Sequence, residues 1–290
     1  MSQKKVLLLD GYNLIYRARY SGMNKGEYST IFNFFRGLRP LVEKFSPDIC
    51  YFVLEGRPVK RLNENSDYKG QRVYHDKDNF QSQKRDIIRI LKSYFPLIIT
   101  KHDDYECDDI INYLANEKHK EDMTTIVSSD TDFIQSINEN TLLYNPVRKN
   151  FVDGVEYDYV SWKSLVGDKS DNIIGFKGIG NKKALKLISD SKNFKEFLSN
   201  EENKLKYENN FFMIKFHDIE NDKEDITFLA NKESHWEALK KEFINFEFNS
   251  IISKDKTWEK YIKTFNCLFE RNRNVNWNCS SEQYIARVKK

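Results

Sequence analysis

Short apolar runs that stop at an acidic residue recur along this chain. Lys5-Val6-Leu7-Leu8-Leu9 ends at Asp10-Gly11, and Cys50-Tyr51-Phe52-Val53-Leu54 ends at Glu55-Gly56. Runs of this length and character fit strands buried on both faces. Between the two, Ser29 to Phe45 carries apolar residues at helical spacing, which completes a strand-helix-strand unit. A helix-like stretch from Ser82 to Tyr94 precedes Leu97-Ile98-Ile99, and Glu106-Cys107-Asp108-Asp109 opens a further helical pattern. Thr124-Thr125-Ile126-Val127 then stops at Ser128-Ser129-Asp130. The alternation predicts an α/β fold with a mainly parallel central sheet flanked by helices, its right-handed crossovers placing successive strand ends on one edge. Further along, Tyr207, Phe211, Phe212, Phe216, Phe228, Trp236, Phe243, Phe246 and Phe248 recur at helical spacing and predict a helical C-terminal region packed through aromatic residues.

Composition adds one puzzle to this pattern. The 290 residues hold 47 Lys and Arg against 44 Asp and Glu, a net charge of +3, so any affinity for a charged partner must come from where the charges sit. The longest apolar runs are too short to span a bilayer and the N-terminus lacks a signal-peptide core, which predicts a cytoplasmic protein, in the host cytoplasm if viral. Cys50, Cys107, Cys267 and Cys279 lie far apart with no C-x-x-C pair, and the histidines are scattered, so a structural zinc site is not expected. Carboxylates are the remaining ligands, and they suit hard cations such as magnesium or manganese.

Ligands of parallel sheets bind at the carboxyl edge of the strands. Asp10, Glu55 and Asp130 each fall at a predicted strand end, and Glu106, Asp108 and Asp109 open the helix that follows another. Asp132 stands close behind Asp130, and a polar turn adds Asp168 and Asp171 in Gly167-Asp168-Lys169-Ser170-Asp171-Asn172. Any one of these acids also fits a turn or a helix N-cap. Their repetition favours a shared crevice, where carboxylates would repel one another unless cations stood between them. Two hard cations roughly 4 Å apart are a device for in-line hydrolysis of a phosphodiester. On a helix, positions 106 and 109 lie about 60° apart while 108 points farther round, so the three need not share one ion.

The basic residues segregate into two places. Between Glu55 and the Ser82 helix runs a polar stretch, from Gly56-Arg57-Pro58-Val59-Lys60-Arg61 through Tyr68-Lys69-Gly70-Gln71-Arg72. Placed after a strand-end acid, it can lie over the crevice with Lys69 and Arg72 at the scissile phosphate and Tyr68 stacked on a base; a solvated surface loop is the alternative. The second place is Gly175-Phe176-Lys177-Gly178-Ile179-Gly180-Asn181-Lys182-Lys183, a glycine turn directly before a helix. Free N–H groups there can face a phosphate while Lys177, Lys182 and Lys183 add charge, as in a helix-hairpin-helix that holds duplex DNA without reading bases.

Taken in order, Asp10-Gly-Tyr-Asn-Leu, Tyr68-Lys-Gly-Gln-Arg72, Glu106-Cys-Asp-Asp109, Ser129-Asp-Thr-Asp132, Gly167-Asp-Lys-Ser-Asp-Asn172 and Gly178-Ile-Gly180 resemble the motifs of the 5′ nucleases. These are the flap endonucleases and 5′-to-3′ exonucleases of bacteriophages and of the N-terminal domain of bacterial DNA polymerase I. The resemblance covers about residues 4 to 190. It implies a PIN-like 5′ nuclease fold, with a nuclease core over 1–165 that includes a basic arch at about 56–80, and a helix-hairpin-helix with a helical region over 166–290. It also implies a divalent-metal phosphodiesterase, using two or more magnesium or manganese ions, that cuts DNA at 5′ flaps, nicks or 5′ ends. Asp10, Glu55, Glu106, Asp108, Asp109, Asp130, Asp132, Asp168 and Asp171 would be the metal-binding acids, with Asp10 and Asp130 central to catalysis and Lys69 and Arg72 assisting. Arg17, Tyr68, Lys177, Gly178, Gly180, Lys182 and Lys183 would contact DNA, and carbonyls of the hairpin would accept a potassium ion.

Two positions depart from the family pattern: Glu55 stands where relatives commonly have Asp, and Cys107 replaces a small residue. Because the chain ends at residue 290 without a polymerase segment, the resemblance points to a monomeric stand-alone enzyme of bacteriophage type, active in replication and primer removal. RNA–DNA hybrids and replication proteins are further expected partners, and membranes are not. The tail Gln283-Tyr284-Ile285 does not make a sliding-clamp peptide. Two other functions fit the same acids: a PIN-like ribonuclease, which would lack the hairpin and the basic stretch, and a catalytically silent DNA-junction binder.

Overall fold

A computed structural model describes residues 3–21, 26–72 and 78–272. The acid-terminated runs form the centre of a seven-stranded sheet. Its strands are β1 (Lys5–Asp10), β2 (Ile49–Val53), β3 (Ile98–Lys101), β4 (Met123–Val127), β5 (Thr141–Asn145) and β6 (Asn150–Val152); β7 (Gly167–Asp168) and β8 (Ile173–Ile174) make a separate small hairpin, and β9 (Thr227–Leu229) closes the main sheet. The order is β6-β5-β4-β1-β2-β3-β9. Pairings from β5 through β4, β1 and β2 to β3 are parallel, while β6 and β9 run antiparallel at the two edges. The carboxyl ends of the five parallel strands therefore share one edge, as the sequence predicts.

Side chains alternate between two cores because successive strand residues face opposite sides. Leu7, Leu9, Cys50, Phe52 and Ile99 face one layer, and Val6, Leu8, Ile49, Tyr51 and Val53 face the other. The first layer holds α1 (Gly11–Arg19), α2 (Ser29–Phe45) and, after the short α3 (Val59–Glu64) of the basic stretch, α4 (Asp78–Tyr94). On the opposite face lies α5 (Cys107–Tyr113), whose first turn carries the acidic cluster. The helix expected from Ser82 thus begins earlier, at Asp78, and the basic stretch contains a helix of its own.

After the sheet come α6 (Tyr159–Val166), the β7–β8 hairpin, α7 (Asn181–Ser189), α8 (Ser191–Ser199) and α9 (Glu201–Ile214). The chain then returns to the sheet. Strand β9 pairs with β3, and α10 (Trp236–Asn245), α11 (Asn249–Ile252) and α12 (Asp255–Asn272) bury Leu239, Phe243, Phe248, Trp258, Tyr261 and Phe265 in the same core as Phe35, Phe52 and Phe95. The last helices complete the first layer. Phe211 and Phe212, expected in that aromatic packing, instead lie outside the cores, at the C-terminal end of α9. No described helix is long and apolar enough to cross a membrane. Cys50, Cys107 and Cys267 are free thiols, while Cys279 and the tail Gln283-Tyr284-Ile285 lie outside the described residues.

Candidate active site

The carboxyl edge gathers the acids through local capping. Asp10 ends β1 and caps α1, accepting from the Asn13 N–H at 3.2 Å. Ser128, which follows β4, donates its hydroxyl to Asp10 (2.7 Å) and accepts the Asp130 N–H (3.0 Å), so one side chain ties two strand ends together. Asn13 donates to the Ser129 hydroxyl at 2.9 Å and locks the same junction. Gly56 lets the loop after β2 touch the loop before α5: a Cβ there would stand 2.0 Å from the His102 carbonyl oxygen. This contact brings Glu55 to the start of α5, where its carboxylate accepts the Cys107 N–H (3.2 Å). The Cys107 thiol packs 3.8 Å from Asp10 and is buried, which fits a packed core thiol.

Around this crevice the acids divide by what faces them. Asp10, Glu55, Asp108 and Asp130 make no ion pair among the described residues. Burial pushes the Asp10 carboxyl up to about 6, with the Asp130 charge adding to it. Burial and then the Glu106 charge push Glu55 up to about 7. Asp108 is pushed well above the usual carboxylate range by burial, followed by the charges of Asp130, Glu55 and Asp10. Asp10, Glu55 and Asp108 are thus withdrawn from water beside one another, while Asp130 stays exposed.

The remaining acids are held by built-in cations. Arg61, buried on α3, uses all five of its N–H groups. It donates to Glu106 (2.7 Å), to both oxygens of Asp109 (2.8 and 2.9 Å) and to the carbonyls of Met213 (3.0 Å) and Lys215 (3.0 Å). Lys69 bonds Glu106 and stands 3.7 Å from Asp171, which also holds Arg72. Lys163 on α6 bridges Asp132 and Asp168, the latter at 2.6 Å, and the Tyr159 hydroxyl donates to Asp132 (3.1 Å). Burial pushes Asp132 up and outweighs Lys163; at Asp168 burial acts the same way, but Lys163 and Ser170 together bring it below the usual range.

Two expectations change here. Asp109, expected among the metal-binding acids, also accepts the His217 N–H (2.8 Å) and the Glu106 N–H (3.3 Å), so its lone pairs are committed to protein donors. It is an anchor for Arg61, on the side of α5 away from Asp108. Tyr68, expected to stack on a base, is 5% exposed and packs with Ile173, Met213 and Ile214, while its hydroxyl donates to Glu106 and Asp171 (both 3.1 Å). Its ring supports the site from below. Arg61 and Lys163 were not singled out in the sequence; Lys163 carries a signal, a lysine inside the apolar turn Trp162-Lys163-Ser164-Leu165, whereas Arg61 looks like any member of its basic stretch.

The second basic feature is a glycine turn directly before α7. Helices α6 and α7 pack together, and the turn between β8 and α7 needs Gly178 at φ +77°. Gly180 caps α7, and Lys177, Lys182 and Lys183 stand exposed around the turn with no ion partner among the described residues.

An all-oxygen, largely unpaired set of acids at a sheet edge fits a hard divalent cation. Among the described residues no three His, Cys, Asp or Glu side chains are drawn together into a ready-made cage. Magnesium keeps several waters and uses few carboxylates directly, so an open crevice suits it.

Residues 5–163 match the family model of the 5′-3′ exonuclease N-terminal resolvase-like domain, more than half of the chain. The chain belongs to the 5′-3′ exonuclease family. A 5′-3′ exonuclease of Aquifex aeolicus is 32% identical over 237 residues, covering 75% of this chain and 79% of that protein. The DNA polymerase I of Caldicellulosiruptor bescii is 29% identical over 219 residues, and the chain spans only 25% of its length. Among solved structures, the bacteriophage T5 flap endonuclease in complex with DNA and metal ions superposes with a TM-score of 0.60 at 21% identity, over 73% of this chain and 89% of that one. At that identity the likeness speaks for the fold, and the mainly parallel sheet with its flanking helices is the 5′ nuclease fold. Family membership makes the chain a 5′ nuclease.

Proposed function

We propose that this 5′ nuclease is a structure-specific flap endonuclease and 5′-to-3′ exonuclease that hydrolyses phosphodiesters at single-strand to duplex junctions, in DNA replication and primer removal. The observation that carries the reading is the unpaired set Asp10, Glu55, Asp108 and Asp130, which meets at the sheet edge directly beside the arch residue Lys69. Carboxylates without counter-charge would hold a divalent ion, in this reading magnesium or manganese, and the solved structures with metal ions support a divalent ion. Such an ion supplies an activated water and neutralises charge that develops on the phosphate.

The chain's own residues do the rest. Lys69 and Arg72, parked on Glu106 and Asp171 when DNA is absent, reach the scissile phosphate once its charge competes for them. Lys163 neutralises Asp132 and Asp168, which would be the acids to hold a second ion. Arg61 fixes the base of the arch to α5 and so sets where Lys69 can reach. The hairpin around Gly178 and Gly180 holds the downstream duplex by its backbone, with Lys177, Lys182 and Lys183 alongside, and its carbonyls would accept a potassium ion. Because this recognition is of backbone, the displaced 5′ strand can be DNA or an RNA primer.

The test uses a 5′-labelled flap, a nicked duplex, an RNA–DNA hybrid and a plain single strand with magnesium. Short 5′ products should come fastest from the junction substrates. Equal cutting of all four would end the structure specificity, and internal cutting of single-stranded RNA would favour a PIN-like ribonuclease. Binding of the junctions with no magnesium-dependent product would mean a silent binder.

A further inference from the structure

Helices α2 and α12 lie side by side on the first layer. Tyr261 donates its hydroxyl to the Phe35 carbonyl (3.3 Å), and Lys260 pairs with Glu43 (3.1 Å). A groove runs between them. Its first part, about 510 Å³, is rimmed by Arg36 and Arg39 of α2 and by Lys256 and Lys260 of α12, over a floor of Pro40, Ile251 and Tyr261. No acid lines that part among the described residues. The second part, about 640 Å³, continues between Ser46-Pro47 and Thr264, with Lys263 on its rim and Glu43 and Glu259 as its acids.

The groove leads away from the catalytic crevice. Ser46 and Pro47 stand just before β2, so its far end lies at the amino edge of the sheet, opposite the edge where the carboxylates gather. From Lys256 to Cys267 it follows α12 for about 16 Å, the span of about five extended residues.

Its positive charge is only partly neutralised from within. Glu43 takes both Arg39 and Lys260. Arg36 faces the Phe32 ring, while Lys256 and Lys263 are exposed with no ion partner among the described residues. A basic rim over an apolar floor suits an anionic partner that also carries apolar side chains. A nucleic-acid strand answers the rim but not the floor. Such strands are gripped by stacking bases on open aromatic rings, and the ring in this lining, Tyr261, is 3% exposed and stacks on Trp258. The last residues of the chain carry the wrong sign, with Arg273, Arg287, Lys289 and Lys290 against Glu282. A second copy would set one basic face against another. An acidic peptide with an apolar residue beside its carboxylates answers both rim and floor.

We propose that the groove between α2 and α12 docks a short acidic segment of a partner protein. Its carboxylates meet Arg36, Arg39, Lys256 and Lys260, and an apolar side chain rests on Pro40 and Ile251. Docking there tethers the enzyme by the amino edge of its sheet and leaves the carboxyl edge open to substrate.

The probe is a fluorescein-labelled hexapeptide, Gly-Asp-Glu-Asp-Leu-Phe, followed by anisotropy with the whole chain at low salt in EDTA. It should bind the unaltered protein. Lys256→Gln/Lys260→Gln should weaken it about tenfold, with the melting temperature and the rate of 5′ flap cleavage unchanged. A hexapeptide with two serines in place of Leu-Phe should bind the unaltered protein about tenfold more weakly, which tests the floor without altering the fold.

Lack of binding by the acidic hexapeptide overturns the proposal, as does equal affinity for the serine peptide or for the variant protein. A thymidine dodecanucleotide that loses as much affinity in the variant as the peptide does would make the groove part of a nucleic-acid path and overturn the peptide assignment. A dimer in sedimentation that the variant abolishes would make the occupant a second copy. Neither probe nor readout depends on cleavage, so failure of the nuclease reading leaves this test standing.

Discussion

Two consecutive residues in the first turn of one helix show how differently this protein treats its acids. Asp109 is enclosed by Arg61 and two backbone N–H groups, whereas Asp108, on the neighbouring face of α5, makes no ion pair among the described residues and feels mainly the charges of Asp130, Glu55 and Asp10, with Lys69 a smaller counterweight. The same division runs around the whole crevice. Glu106, Asp132, Asp168 and Asp171 are each paired with a lysine or arginine, Asp132 and Asp168 sharing Lys163, while among the described residues Asp10, Glu55 and Asp130 have none within ion-pair distance. A protein that needed these acids only for folding would have paired them all, because a buried charge without a partner is costly. The unpaired set is where charge has been left for something from outside to neutralise.

Substitutions can break this comparison. Asp130→Asn removes a carboxylate from the unpaired set and should reduce single-turnover cleavage by about a thousandfold, while DNA affinity stays within about threefold. Full turnover would remove Asp130 from the reaction. A crossed stability experiment is the next largest effect. Asp109→Asn removes one of the two carboxylates that neutralise buried Arg61 and should destabilise the protein by about 3 kcal/mol, whereas Asp108→Asn relieves repulsion and should raise the melting temperature in EDTA. Equal losses from the two would abolish the distinction.

Proton binding sharpens the comparison further. Asp10 ordinarily titrates near 3.8 and Glu55 near 4.5, and in the fold they stand at about 6 and about 7. Groups raised in this way stabilise the fold fully below their ordinary values and lose that contribution as pH rises through the folded ones. In EDTA, the melting temperature of the unaltered protein should therefore drop relative to Asp10→Asn between about pH 4 and pH 7, and magnesium should reverse the drop. A constant difference across that range would show that Asp10 is not strained by its burial. The smallest effect belongs to the open, exposed hairpin: Lys182→Ala/Lys183→Ala should weaken duplex affinity several-fold and flatten its salt dependence by about two units, with the melting temperature unchanged.

The sheet centre was legible in the sequence because a strand buried on both faces must be apolar throughout, and each such run ended at an acid. Helix α2, from Ser29 to Phe45, followed from spacing alone. Strand β5 escaped notice because it ends at Asn145 rather than at an acid, and β9 because three residues carry no periodicity. The strand-end acids that the fold brings to one edge could be read from the sequence, and the division among them could not. It depends on Arg61 and Lys163, whose partners are 45 and 48 residues away for Arg61 and on other elements for both. Distance along the chain hides such pairs, as it hid the burial of Tyr68 beneath Glu106 and Asp171.

The claim that the unpaired acids are the cation site is tested most directly by a crystal soaked in manganese. The account predicts an anomalous peak among Asp10, Asp108 and Asp130, about 2.1 Å from at least one carboxylate oxygen, with Asp109 still on Arg61. A peak at Asp109 with Arg61 displaced, or manganese bound elsewhere with the crevice left without it, would contradict the account.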